Sequence, residues 1–314
     1  MFDIMMHKIC RRGDGIEFSR FRTGNVGDMN TLKTFFLLIV LTMLLLMVGG
    51  IMGGEAGIVI ALFFALAMNF GAYWFSDRIA LRMTKAHPIS EEDDPDLYRL
   101  VEEQAYLAGL PMPKVYEIES NSPNAFATGR NPKNATVAVT TGIRQLLNRD
   151  ELGAVMAHEM AHVGNRDTLI MTIVATIAGA ISMLAMMAQF SAIFGGFGGH
   201  GRERGGSNIV GLLIVAIVMP IVASIVRLAI SRSREFQADR TGALTSGQPE
   251  ALASALEKLE RGAASVPMKV AEPASHLFIV NPLRGNTMSR LFSTHPPTEE
   301  RARRLRGMSE QNPQ

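Results

Sequence analysis

The sequence predicts a membrane protein of mainly α-helical fold, in which four transmembrane helices accompany a helical domain with a small β-sheet. Three observations predict it. Apolar residues make up 47% of the 314 positions and are gathered unevenly along the chain. They form four blocks, residues 35–54, 56–75, 169–190 and 209–226, each near the roughly 20 residues needed to cross a hydrocarbon layer. The remaining sequence has helical periodicity, broken by a few short alternating stretches of strand type.

Residues 1–28 read as a basic N-terminal extension carrying Lys8, Arg11, Arg12, Arg20 and Arg22. The residues from Met29 onward would themselves make an ordinary start to a membrane protein, so the extension is expected to be a dispensable leader or the product of a start placed upstream. A cleavable signal peptide fits poorly, because the first apolar block begins late and a second follows at once. Only Glu55 separates those two blocks, which predicts a transmembrane hairpin over 33–76.

A cytoplasmic part is expected over 77–168. Acids ahead of Leu97, Leu100, Val101 and Ala105 predict a helix with a negative first turn. Residues 114–119 and 135–140 alternate like strands, and 125–128 can add a short extended piece between them. Asn148 or Asp150 caps the next helix; with Asn148 as the cap, Glu151 falls where acids are favoured. Leu152, Met156, Met160 and Val163 give that helix an apolar face. A second transmembrane hairpin is expected over 169–226, with a kink at Pro220. Residues 227–314 then complete the domain with helices at 231–241 and 249–261, a loop at 274–288 and a last helix begun by Pro297.

Basic residues flank the outer ends of both hairpins, among them Lys33, Arg78, Arg82, Lys85, Arg227, Arg232 and Arg234, while the turn at Glu55 has none. The positive-inside rule therefore places both termini and the 77–168 part in the cytoplasm. A net charge of +2, with acids and bases mixed, gives no support for nucleic-acid or nucleotide partners. The single cysteine, Cys10, excludes an intramolecular disulfide and a cysteine-based metal site. The 20 methionines lie mainly in the apolar blocks, as filler.

His158-Glu159-Met160-Ala161-His162 is an HExxH pattern. A spacing of four on a helix puts both imidazoles on one face, where they can hold one Zn²⁺ per chain. A helix with two structural histidines is the plain alternative, but a chance match of this pattern is roughly a one-in-a-hundred event by composition. A catalytic site needs a third protein ligand. The candidates are His200, His276, His295, Asp167, Glu235 and Asp239. His200 falls in the loop expected outside. Glu235 is preferred, because the intervening hairpin would carry the chain out and return it to the same membrane face. Asp239, one helical turn later, could hold the distal nitrogen of a ligating histidine. His295 could cap the last helix, brace the acids or bond the reacting carbonyl oxygen. Zinc would make a water nucleophilic near neutral pH, with Glu159 as its base. Asn124, Ala125, Phe126 and Ala127 could form an edge for an extended peptide. If the helix continues past His162, the apolar boundary lies roughly 10 Å away, so the site should sit near the cytoplasmic membrane surface.

The stretches SPNAFATG at 122–129, AHEMAHVGNRD at 157–167, SREFQADRTGA at 233–243 and THPPTEER at 294–301 together resemble the HtpX-type membrane zinc endopeptidases. That branch is related to the CAAX prenyl proteases. The resemblance implies a zincin-like metallopeptidase domain, with zinc on His158, His162 and Glu235, Glu159 as base, Asp239 as a supporting acid and 124–127 as the substrate-binding edge. It also implies a multi-pass protein of the bacterial inner membrane that cleaves misfolded or damaged membrane proteins and unfolded polypeptides during stress, and that cleaves itself. A CAAX-type prenyl-protein protease and a non-catalytic membrane metal-binding scaffold are the competing readings. The first would be expected to enclose a larger chamber with more spans; for the second, an intact Glu159 has no purpose.

Overall fold

The computed structural model describes residues 24–171, 232–268, 277–280 and 296–311. The expected second hairpin falls almost wholly outside them, as do His200, His276 and His295. Among the described residues two stretches are long and apolar enough to cross a membrane, Met29–Met47 and Gly54–Gly71, where four were expected from the sequence.

Both belong to α1, Gly24–Trp74, which breaks at Gly54. There φ is 58° and ψ −139°, a backbone state that glycine adopts without the clash a Cβ would cause. The turn thus falls one residue before the Glu55 position read from the sequence. The arms run back along each other: a Cβ on Gly49 or Gly57 would collide with the opposing backbone. Farther down, Asn69 Nδ2 donates to Thr42 Oγ1 at 2.8 Å, so a polar side chain of one arm bonds one of the other. Phe36, Ile60 and Phe63 stand exposed on the hairpin, at 65%, 70% and 71%. Apolar surface of that extent suits lipid and not water. The helix starts inside the segment expected to be a loose extension, at Gly24.

A short helix α2, Ser76–Thr84, stops at Lys85, whose φ of 56° turns the chain into strand β1, His87–Pro88. Helix α3, Pro95–Leu107, is capped by the Asp94 carboxylate, which accepts from the Leu97 amide at 3.0 Å, with Pro95 at its first position. Strands β2, Lys114–Ile118, β3, Ala125–Thr128, and β4, Thr136–Thr140, follow. The sheet order is β1-β2-β4-β3; β2 runs parallel to β4, and β3 is antiparallel to it at the edge. Val137 and Val139 face a core built with Leu100, Val101, Met156 and Leu256. Ala138 and Phe126 point the other way, against Leu81, Ile118 and Phe278. The sheet is thus covered on both faces, which is why every residue of β3 and β4 is buried.

After α4, Thr141–Leu146, the central helix α5, Arg149–Gly164, opens with a capping box. Asn148 Oδ1 accepts from the Glu151 amide at 2.9 Å, and Glu151 Oε2 accepts from the Asn148 amide at 3.1 Å. Lys258 and Ser254 also donate to Glu151, which holds its carboxyl below the usual range although burial works against this. The sequence predicts an apolar stripe on α5; the structure buries it all round, from Glu151 to Val163. Its polar side is covered by α6, Arg232–Ser246, and α7, Pro249–Ser265, with α8, Thr298–Gln311, beyond them. Helices α6 and α7 run farther than the sequence reading took them.

Candidate metal centre

The site is built where α5 and α6 touch. Gly242 makes this approach possible, because a Cβ there would stand 2.8 Å from the His158 backbone. On α5, His158 and His162 aim their Nε2 atoms at one point, 3.1 Å apart. From α6, Glu235 places Oε2 3.9 Å from His158 Nε2 and Oε1 3.6 Å from His162 Nε2. One ligand atom from each residue lies within 4.8 Å of the others, and all three residues are buried. Tetrahedral ligands at zinc–nitrogen bond lengths would stand about 3.3 Å apart, so the triangle is close to what a metal ion requires.

Each histidine is held from behind by a carboxylate. His158 Nδ1 is 3.0 Å from Asp239 Oδ1, and His162 Nδ1 is 3.1 Å from Asp167 Oδ2. These contacts favour the proton on Nδ1 and leave Nε2 free to bind. Burial works against the protonated His162 ring, but the Asp167 hydrogen bond and the Glu235 carboxylate outweigh it and push the pKa up to about 9. Burial, in turn, would raise Asp239, yet the Arg301 guanidinium beside it holds it down at about 2. Glu159 is raised by burial, with His158 and His162 opposing and the Ala127 backbone amide donating to its carboxylate. Among the described residues the buried carboxylates Glu159, Asp167, Glu235 and Asp239 face the guanidinium groups of Arg234 and Arg301.

Among the described residues, the structure brings together His158, Glu159, His162, Glu235, Asp239 and the 124–127 strand, and adds partners that the sequence did not reveal. Arg301 forks onto Asp239, with Nε donating to Oδ2 at 2.8 Å and Nη2 to Oδ1 at 2.7 Å. Asp167, weighed as a third ligand, instead sits on the far nitrogen of His162. The turn at Arg166, with φ of 59°, brings it back beyond the helix end. Asn30, at the head of the membrane hairpin, donates to Asp167 Oδ1 at 2.8 Å and to the Asn165 carbonyl at 2.9 Å. Arg301 lay within THPPTEER, where it could have been noticed; Asn30 carried no local signal.

Two outcomes follow from this geometry. His162 has a folded pKa above its unfolded value, so in the metal-free protein its protonated form adds stability below 6.5, and this is lost as pH rises through about 9. Metal must displace that proton. Affinity measured by chelator competition is therefore expected to rise about tenfold per pH unit from neutrality until the pKa is passed, then level off. A flat profile over that range would contradict the assignment. Asn30→Ala removes the donor that steadies Asp167, and is expected to weaken metal binding by roughly tenfold in the full chain; an unchanged dissociation constant would show that Asp167 is held without it.

A buried HExxH helix with a glutamate supplied by a later helix defines a metalloprotease. The profile of peptidase family M48 matches residues 91–309. The protease HtpX homolog of Syntrophobacter fumaroxidans is 53% identical over 277 residues, covering 88% of this chain and 98% of that protein. Its counterpart in Ralstonia nicotianae is 52% identical, covering 90% and 97%, and that of Thermococcus sibiricus is 49% identical, covering 89% and 96%. Among solved structures, S. mikatae Ste24p is similar at a TM-score of 0.49 and 19% identity, over 90% of this chain and 66% of that one. This chain belongs to peptidase family M48, in its HtpX-type branch.

Proposed function

We propose that this metalloprotease is a zinc-dependent endopeptidase that cleaves misfolded or damaged membrane proteins at the cytoplasmic face of the bacterial inner membrane, in stress-linked quality control. The observation that carries the reading is the buried His158–His162–Glu235 triangle with Glu159 beside it, fastened to the head of an apolar hairpin through Asn30. A second tie supports the same placement: the Arg130 guanidinium lies 4.5 Å from the Trp74 ring at the hairpin's other end. Both ends of the hairpin thus meet the domain that holds the site. Cytoplasmic orientation rests on the basic residues around those ends.

In this reading His158, His162 and Glu235 hold the ion, and Asp239 and Asp167 fix the two rings. Zinc, when bound, supplies the Lewis acidity that activates water and polarises the scissile carbonyl. Glu159 accepts the water proton and returns it to the leaving amine. The Ala127 amide, donating to Glu159, fixes the carboxylate beside the metal triangle. Asn124 to Ala127 offer backbone and amide groups to an extended peptide. His295, just ahead of Pro296 in sequence, is a candidate to cap the last helix, to brace the acids or to bond the reacting carbonyl oxygen. Residues 33–76 and 169–226 are taken as two membrane hairpins carrying 77–168 and 227–314 as one protease domain, beyond the 1–28 extension. The test is cleavage of an unfolded reporter by detergent-purified protein with stoichiometric zinc, compared with a Glu159 variant.

A further inference from the structure

β3 is the edge strand, and its outer side is already taken. The inner side pairs with β4. On the outer side the Ile279 amide donates to the Ala125 carbonyl at 3.1 Å. The Asn124 side chain then pairs in both directions with the Val280 backbone: Nδ2 donates to its carbonyl at 2.8 Å, and Oδ1 accepts from its amide at 3.4 Å. One of these is the backbone bond one strand offers another, and the other two use the Asn124 side chain in place of a backbone; the segment itself, far away in sequence, bends instead of running as a strand. Phe278 is fully buried, edge-on to Phe126 at 5.2 Å between centroids. Leu277, Phe278 and Ile279 close a cavity of ≈ 10 Å³ whose other walls include His158, Glu159, His162 and Glu235. That is room for about one water and none for a peptide.

We propose that Leu277–Val280 is an internal peptide lying in the substrate groove, and that the groove takes apolar segments with a large aromatic or aliphatic side chain in the Phe278 position. This rests on the protease reading of the same site. The segment has no polar side chain, so it is held by apolar burial and by hydrogen bonds between its backbone and Asn124, Ala125 and Arg301, contacts that another apolar peptide can offer without a polar side chain of its own. Replacing it is close to neutral in hydrogen bonds, since Asn124 and Ala125 exchange one backbone for another. A polar loop cannot make up the apolar burial that Phe278 and its neighbours give up. An apolar stretch exposed by a misfolded membrane protein can, so the occupant selects the substrate class. While the segment is seated, apparent affinity for any peptide falls in proportion to the fraction of open chains.

The test uses the full chain in detergent with Glu159→Gln, so that peptide binds without being cut. The probe is a fluorescent synthetic peptide of sequence HLFIVNP, read by anisotropy, beside the same peptide with aspartate for phenylalanine. Ile279→Pro removes the amide that Ala125 accepts, and is expected to tighten binding of the apolar probe by about tenfold, with little effect on the aspartate probe. Equal or weaker binding by a variant that still holds metal stoichiometrically would overturn the proposal. If the proline variant does not fold, amide hydrogen exchange at Ile279 and Val280 decides. Saturating apolar peptide should speed it several-fold in the Glu159→Gln chain, and no change would overturn the proposal. The two readings fail separately. Cleavage by the unsubstituted chain, with no gain in binding for Ile279→Pro, removes the internal peptide alone. Tighter binding with no cleavage by any chain keeps it and removes the hydrolase.

Discussion

Glu159→Gln is expected to cut the rate of peptide cleavage by about 10²- to 10⁴-fold while leaving the metal in place. The substitution keeps the shape of the side chain and an oxygen for the Ala127 amide that donates to it. It touches none of the three atoms that form the metal triangle. What it removes is a group able to take and return a proton, in a residue only 3% exposed where bulk water cannot substitute easily. Cleavage of an unfolded reporter, together with metal stoichiometry, measures both halves of the expectation. Loss of cleavage with metal retained identifies Glu159 as the base. Equal cleavage by both proteins would point to a contaminating protease. No cleavage by either, despite bound metal, would favour a narrow substrate requirement or a scaffold that binds metal without turnover.

The parts of this site that were legible in the sequence are those whose geometry is local. His158 and His162 share a face because helical spacing makes them do so, and Glu235 and Asp239 share one for the same reason. Which of the outlying acids or histidines would join the first pair required an argument about membrane topology, not spacing. The place of Asp167 behind His162 was not legible, because it depends on the left-handed turn at Arg166, which no periodicity announces. Asn30 lies 135 residues from the Asn165 carbonyl it bonds, and nothing in its own neighbourhood hints at it. The apolar stripe read on α5 is buried, but it is only part of what that helix buries, for a related reason. Local pattern counts His158, Glu159 and His162 as polar and therefore exposed, but they are buried because they serve one another and because Gly242 lets α6 close over them. The 277–280 segment read as loop, and its backbone is irregular, yet it is bonded to Asn124, Ala125 and Arg301. A long-range pairing of this kind is invisible to composition.

Arg301→Met is expected to lower the stability of the metal-free protein by about 3–5 kcal/mol, the cost of leaving one partner of a buried ion pair uncompensated. Arg301 is 1% exposed and Asp239 3%, and the fork between them has two short hydrogen bonds. Methionine roughly fills the volume, so the loss reports charge and not a cavity. The effect should reach beyond Asp239. Arg301 also donates to the Ile279 carbonyl at 3.2 Å and stands 3.6 Å from Glu235 Oε2, so it joins a carboxylate behind His158, a metal-triangle residue and the 277–280 segment. Asp239 has its folded pKa depressed from 3.8 to about 2 against the effect of burial, chiefly by Arg301. Its stabilising contribution is therefore full above 3.8 and lost as pH falls towards about 2, and in Arg301→Met that loss should begin at higher pH. Chemical denaturation of the full chain in detergent, with and without Asp239→Leu, separates the terms. The double variant should recover part of the stability, because removing both charges costs less than stranding one. A single-variant loss below about 1 kcal/mol would mean that water reaches the pair, and that Asp239 is not the sealed anchor of His158 described above.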